Sequence, residues 1–161
     1  MKDPRWLNRQ AREYLEEYKK AQERLAIPNT APIRSVWQPP PPDVYKLNFD
    51  AAVFSDLKCS GFGAIIRNAA GEVMAGMSVK GPYVNNSEEA EVLACQKAIE
   101  FSIKAGFSEL MIEGDNANVI RAISSPLANK SLLGHVYEDI RSYFDGLHSA
   151  SISWVRRGEI W

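Results

Sequence analysis

Apolar and polar residues alternate along residues 44–53, V-Y-K-L-N-F-D-A-A-V. Tyr45, Leu47, Phe49 and Ala51 fall on one side, and Lys46, Asn48 and Asp50 on the other. A period of two marks a strand, and its β-formers suit a sheet with helices on it. After a short turn at Ser55–Ser60, Gly61–Arg67 reads as a second strand and Glu72–Lys80 as a third, with Asn68-Ala69-Ala70-Gly71 between them. Short connections make these three an antiparallel meander. Gly81-Pro82 breaks the third strand. A helix from about Glu88 to Ala105 follows, with Ser87 as its expected N-cap and Gly106 as its C-cap. Its apolar face is read as Ala90, Leu93, Ala94, Ala98, Phe101 and Ala105. Glu109–Gly114 is a short strand, and Asn116–Ser124 a helix stopped by Pro126. Leu132–Leu147 is a further helix, striped by Leu133, Val136, Tyr137, Ile140 and Phe144, and Ser149–Arg156 is a last strand.

The order β-β-β-α-β-α-α-β predicts an α/β (α+β) fold with one five-stranded mixed sheet flanked by helices. A crossover through the long helix sets Glu109–Gly114 parallel to the first strand. If the two are neighbours, Asp115 comes close to Asp50.

The chain before residue 44 has a different pattern. Asp3 and Pro4 can start a helix, and Leu7, Ala11, Tyr14, Tyr18, Ala21 and Leu25 repeat at heptad spacing. Residues 1–27 are therefore expected to form an amphipathic helix. One reading of residues 7–25 is a dimer seam or docking surface for a protein partner. The other is a plain surface helix, because small Ala and polar-tipped Tyr make a weak seam. Residues 28–43 contain Pro39-Pro40-Pro41-Pro42, which imposes an extended, semi-rigid spacer. Trp37 beside it is placed to pack back on the domain. Residues 44–161 form that domain.

Composition narrows the class. Of 161 residues, 45% are apolar and 24% charged, as in a globular protein with a core of its own. No apolar run is long enough to span a bilayer, and Met1–Gln10 lacks the apolar core of a secretory signal. The expectation is an intracellular protein of nucleus or cytoplasm, without membrane contact. Cys59 and Cys95 are too few for a disulfide framework and lack metal-ligand spacing. The net charge is -1, which is not the basic signature of a protein held to nucleic acid by charge alone. A nucleic-acid enzyme of this composition needs divalent cations to offset its own carboxylates.

Three acids stand at notable places: Asp50 on the first strand, Glu91 one turn into the long helix, and Asp115 just after the fourth strand. Glu91 lies amid the helix's apolar face, where an isolated charge is costly. Clustered hard oxygen ligands suit Mg²⁺ or Mn²⁺, and two such ions about 4 Å apart can drive phosphodiester cleavage. Three unrelated surface acids are the bland alternative. Gly61 and Gly63 do not make a phosphate loop, since no Gly-Lys-Ser/Thr follows; sheet geometry accounts for them better.

The motifs L-N-F-D-A-A, G-A-I-I-R-N-A-A-G-E, A-E-V-L-A-C-Q-K-A-I, I-E-G-D-N-A-N-V-I and S-W-V-R-R resemble the ribonuclease H-like domain of plant reverse-transcriptase-like proteins. These are similar to the ribonuclease H segments of non-LTR retrotransposons. The resemblance covers about residues 44–157. It implies a five-stranded mixed sheet with helices on both faces, and endonucleolytic hydrolysis of RNA in RNA–DNA hybrids with Mg²⁺. By position, Asp50, Glu91 and Asp115 match three of the family's four metal-binding carboxylates. The implied roles are Asp50 bridging two ions, with Glu91 and Asp115 each completing one. Asn85, Asn86 and Ser87 fall where the family's loop contacts the nucleic-acid backbone. Asn116 lies at the same rim, and its simpler reading is a helix cap. His135 and His148 do not match the family's mobile-loop histidine and read as surface residues.

The family pattern continues past the last strand into a helix that carries the fourth acid. Here S-W-V-R-R is followed by Gly158, Glu159, Ile160 and Trp161. The final helix is thus expected to be missing, with no strong substitute in Glu159. Two readings stand: a hybrid-cleaving nuclease, or a nucleic-acid- or partner-binding module that keeps the fold and cuts poorly or not at all.

Overall fold

The computed structural model describes residues 37–125 and 131–156. The expected N-terminal helix with its heptad seam, the first part of the linker, Pro126 and Glu159 lie outside the described residues.

Five strands are present: β1 (Tyr45–Phe54), β2 (Cys59–Arg67), β3 (Val73–Gly81), β4 (Glu109–Gly114) and β5 (Ser149–Trp154). Among the described residues three α-helices join them: α1 (Ser87–Lys104), α2 (Ala117–Ser124) and α3 (Gly134–Asp145). All lie where the hydrophobic pattern puts them, to within a few residues at the ends. The sheet order is β3-β2-β1-β4-β5. β1, β2 and β3 pair antiparallel, as the short turns require. β4 runs parallel to β1 and beside it, with Leu47 opposite Ile112 and Asn48 opposite Glu113. β5 adds in parallel to β4. Asn68 shapes the β2–β3 turn, its side-chain oxygen accepting from the N–H groups of Ala70 and Glu72.

One face of the sheet carries the core. Leu47 and Phe49 of β1, Ala64 and Ile66 of β2, and Leu110 and Ile112 of β4 are all buried there. They share one cluster with Val92, Ala94, Cys95, Ala98 and Ile99 of α1, Val119 and Ile123 of α2, and Val136, Tyr137 and Ile140 of α3. At roughly 1.5–3 kcal/mol per fully buried large side chain, this cluster is the main source of stability. The buried stripe of α1 is rotated from the expected one. Glu91, Val92, Cys95, Ile99 and Ser102 are buried, whereas Leu93 and Phe101 are half-buried and Ala105 is exposed. Alanine on several sides of this helix leaves little amphipathic contrast, so packing decides which side faces the sheet.

The cap of α1 also differs by one residue. Asn86, not Ser87, is the N-cap, its side chain accepting from the Glu89 N–H at 2.8 Å. The Glu89 carboxylate reaches back to the Asn85 N–H at 3.0 Å, a reciprocal arrangement close to a capping box. Gly106, with φ of 87°, follows the helix end as expected.

The other face of the sheet is not solvated along β1. Lys46 and Asn48 are 3% and 0% exposed. Nζ of Lys46 lies 2.7 Å from Oε1 of Glu113 and donates to the Gln38 carbonyl. Asn48 donates to Oε2 of Glu113 at 3.0 Å, and Arg67 donates to Oδ1 of Asn48 at 3.3 Å. Trp37 packs back as expected, with Lys46 Nζ 5.2 Å and Arg67 Cζ 5.6 Å from its ring centre. Among the described residues, no helix is long and apolar enough to cross a membrane.

Candidate active site

β1 and β4 end near one another because their ladder is parallel. The first acid sits late in β1, at Asp50, opposite Gly63 of β2. Another follows the last residue of β4, at Asp115. A third comes from α1, which packs on β1 and β2. There Glu91, one turn past the N-cap, turns inward and is 3% exposed. Ligand oxygens of Asp50, Glu91 and Asp115 all lie within 4.8 Å of one another. The fold thus gathers the three acids singled out from the sequence.

Each acid is oriented by local structure. Oδ1 of Asp50 accepts from the N–H of Ala51 at 2.9 Å. Glu91 is held by its helix, and Cys95 lies one turn further on. Burial, and secondarily the Glu91 charge, push the Cys95 thiol far above its usual range, so it is an inert thiol there. Asp115 stands at a tight corner. A Cβ on Gly114 would lie 2.4 Å from the Phe49 ring, so only glycine lets β4 end against that ring. Next, Asn116 caps α2, its side chain accepting from the N–H groups of Asn118 and Val119 at 3.1 and 3.2 Å. The indole N–H of Trp154, the last residue of β5, donates to the Asp115 carbonyl at 2.9 Å.

The surroundings of Asp50 are open. An open cleft of about 300 Å³ is lined by Asp50, Ala51, Ala52, Phe54, Gly61, Phe62, Gly63 and Ser78. Gly61 and Gly63 lie in β2 and pair on both sides; they are sheet residues, as expected. Phe54, Leu57, Tyr83 and Trp154 are exposed aromatic or aliphatic side chains. Asn85, Asn86 and Ser87 are exposed at the start of α1, one turn before Glu91. The oxygens of the Asn86 and Asn116 side chains serve as caps, so a ligand there meets their amide N–H groups and the backbone. His135 and His148 are exposed.

Three carboxylates in one place form a hard, all-oxygen donor set, which fits Mg²⁺ or Mn²⁺ rather than a soft metal. A buried glutamate gives the same indication. Desolvating a carboxylate costs several kcal/mol, and a divalent ion offsets that cost along with the repulsion of two neighbouring acids. Such a centre suits chemistry on phosphate esters, where the ions are shared between protein and substrate oxygens.

Sequence reasoning found these acids through their positions on elements. It missed Trp154 as a neighbour of Asp115, although S-W-V-R-R stood out as a motif. It also missed Glu113, which is 6% exposed and tied to Lys46 and Asn48.

A family profile described as reverse transcriptase-like matches residues 48–160. No curated protein sequence matches the chain significantly. Among solved structures, the chain is similar to ribonuclease H1 from the halophilic archaeon Halobacterium salinarum. The TM-score is 0.64 at 21% identity, over 72% of this chain and 89% of that one. The N-terminal ribonuclease H domain of a Mycobacterium tuberculosis protein gives 0.63 at 19% identity, over 72% and 84%. A compost-derived ribonuclease H1 crystallised with an RNA/DNA hybrid gives 0.55 at 14% identity, over 72% and 88%. At these identities the likeness establishes the fold, which is ribonuclease H-like.

Proposed function

The chain belongs to the reverse transcriptase-like family, and on that footing we propose that it is an endonuclease that hydrolyses the RNA strand of RNA–DNA hybrids. The observation that carries this reading is the convergence of Asp50, Glu91 and Asp115 oxygens to within 4.8 Å. The solved ribonuclease H structure with an RNA/DNA hybrid supports the choice of substrate.

Asp50, Glu91 and Asp115 would hold the divalent cations. Held there, divalent ions would supply water activation and charge neutralisation at a phosphate ester. The chain's own residues do the rest. The β1–β4 ladder and α1 set Asp50 and Glu91 in place and bring Asp115 beside them, so little ordering is left for the moment of reaction. The exposed start of α1 offers the side-chain amides of Asn85 and Asn86 and the Ser87 hydroxyl to a backbone phosphate. Asn116 does the same from the corner after β4. None of these groups reads a base edge, so recognition would follow duplex shape and the 2′-OH. Choice of hybrid over DNA duplex would lie in the sugar contacts next to Asp50.

The test is a labelled RNA–DNA hybrid incubated with Mg²⁺, beside single-stranded RNA and DNA-duplex controls. Cleavage confined to the RNA strand of the hybrid, and lost in Asp50→Asn with the circular dichroism spectrum intact, is the expected result. Undiminished Mg²⁺-dependent cleavage by Asp50→Asn removes the proposal. Hybrid binding without any cleavage by the wild type would instead identify a binding module that keeps the fold.

A further inference from the structure

Of the three acids, Asp115 is the one whose backbone stands outside regular structure. Asp50 is stitched into β1, and Glu91 into α1. Asp115 lies between the last residue of β4 and the cap of α2. Among the described residues, the Asn116 and Trp154 side chains help hold this corner. Asn116 secures its downstream side by capping α2. Trp154 secures Asp115 itself, because its indole N–H donates to the Asp115 carbonyl at 2.9 Å. The geometry comes from the β4–β5 ladder, which pairs Gly114 with Trp154 and is closed by the Val155 N–H donating to the Gly114 carbonyl at 3.1 Å.

Core packing does not explain a tryptophan here. The side chain is 49% exposed, so much of its apolar area gains nothing from burial. What it contributes is a donor, long enough to reach across the end of the ladder.

We infer that Trp154 is a positioning residue: its indole N–H fixes the Asp115 corner so that the carboxylate is ordered for a divalent cation before the ion arrives. This deepens the nuclease reading and rests on it. The expected size follows from one neutral hydrogen bond, whose loss weakens cation binding about three- to tenfold.

The experiment is a Mg²⁺ titration of the full ¹⁵N-labelled chain followed by NMR. The four tryptophans give distinct indole N–H signals, and the one lost in Trp154→Phe is assigned to Trp154. The expected result has two parts. The Trp154 indole signal shifts with the same Mg²⁺ midpoint as the Asp115 amide. In Trp154→Phe that midpoint rises about three- to tenfold, while the thermal midpoint changes little. An indole signal that stays still while the Asp115 amide shifts overturns the inference. So does a Trp154→Phe variant that binds Mg²⁺ as the wild type does. If no signal near Asp50, Glu91 or Asp115 responds to Mg²⁺ in the wild type, the metal-dependent reading itself falls, and the inference with it.

Discussion

Glu113→Ala is expected to be among the most damaging single substitutions in this domain, although Glu113 holds no place in the proposed chemistry. Its carboxylate faces Lys46 at 2.7 Å, with the two side chains 7% and 3% exposed. At an effective dielectric of 20, two unit charges at that distance attract by about 6 kcal/mol. Taking each ion out of water costs several kcal/mol, so the pair's net contribution is small. Breaking the pair is another matter. Without Glu113, the Lys46 ammonium keeps the Gln38 carbonyl and the Trp37 ring, and the Asn48 amide loses its acceptor. The expected loss is about 3–5 kcal/mol, or a fall in Tm of roughly 10–20 °C. Lys46→Met should cost a similar amount, by leaving a buried carboxylate with Asn48 alone.

The double variant Lys46→Met/Glu113→Gln separates the causes. It removes both charges and keeps an acceptor for Asn48, so it should lie within about 1.5 kcal/mol of the wild type. Urea unfolding followed by far-UV circular dichroism of the wild type, Lys46→Met, Glu113→Gln and the double variant closes the cycle and gives the coupling between the two sites. A double variant that loses as much as the two singles combined would refute the reasoning. The consequence reaches the candidate site, because the pair bridges β1 and β4, the two strands that deliver Asp50 and Asp115.

Four further outcomes are expected. Gly114→Ala should cost about 1–3 kcal/mol in a thermal melt, because its Cβ would meet the Phe49 ring, and Phe49→Leu should recover part of that loss. Asn86→Ala should cost about 1 kcal/mol by removing the α1 cap, with Asn86→Asp close to neutral in the same assay. Mg²⁺ should stabilise the fold in proportion to the logarithm of its concentration, by about 2.7 kcal/mol at a hundredfold excess over Kd, read as a rising Tm, and EDTA or Asp115→Asn should abolish the rise. On the surface of α1, donation first from Lys104 and then from Lys97 holds the Glu100 carboxyl down to about 2 from 4.5. A depressed pKa contributes stability above the unfolded value, which is lost as pH falls through the folded one. Glu100→Gln should therefore cost a few tenths of a kcal/mol at pH 7, with the gap closing between pH 4.5 and about 2 and shrinking with salt.

Much of the fold was legible because local signals agreed with tertiary structure. Alternation located β1, Gly and Pro punctuated β2, β3 and α1, and the element order alone required β4 to run parallel to β1. The three acids were legible because they coincide with strand and helix positions, Glu91 above all on a core-facing side of its helix, and the resemblance to ribonuclease H-like domains named the same three. What escaped depends on which surfaces meet. The alternation puts Lys46, Asn48 and Asp50 opposite the apolar side of the strand, but K-x-N-x-D does not say what covers them. Only Trp37 from beyond the prolines and Glu113 on the parallel neighbour show that this side is dry. The buried stripe of α1 escaped because alanine fits either side of a helix. The cap escaped by one residue because Asn86 and Ser87 are both good caps.

These points bear on how the site works. Asp50 and Asp115 are separated by 65 residues of chain, yet they meet because β1 and β4 share one ladder. On the core face that ladder is fixed by Leu47 packed with Ile112, and by the Phe49 ring set against Gly114. On the other face it is fixed by Lys46 and Asn48 gripping Glu113. The apolar side supplies burial energy but tolerates small slips, whereas the ion pair and the amide bond are satisfied only in one register. A slip of one residue would turn Glu113 toward the apolar core and Gly114 away from Phe49. The charged network is therefore best understood as a register device. It adds little net stability, and it makes the alignment that brings the carboxylates together the only one without a stranded charge.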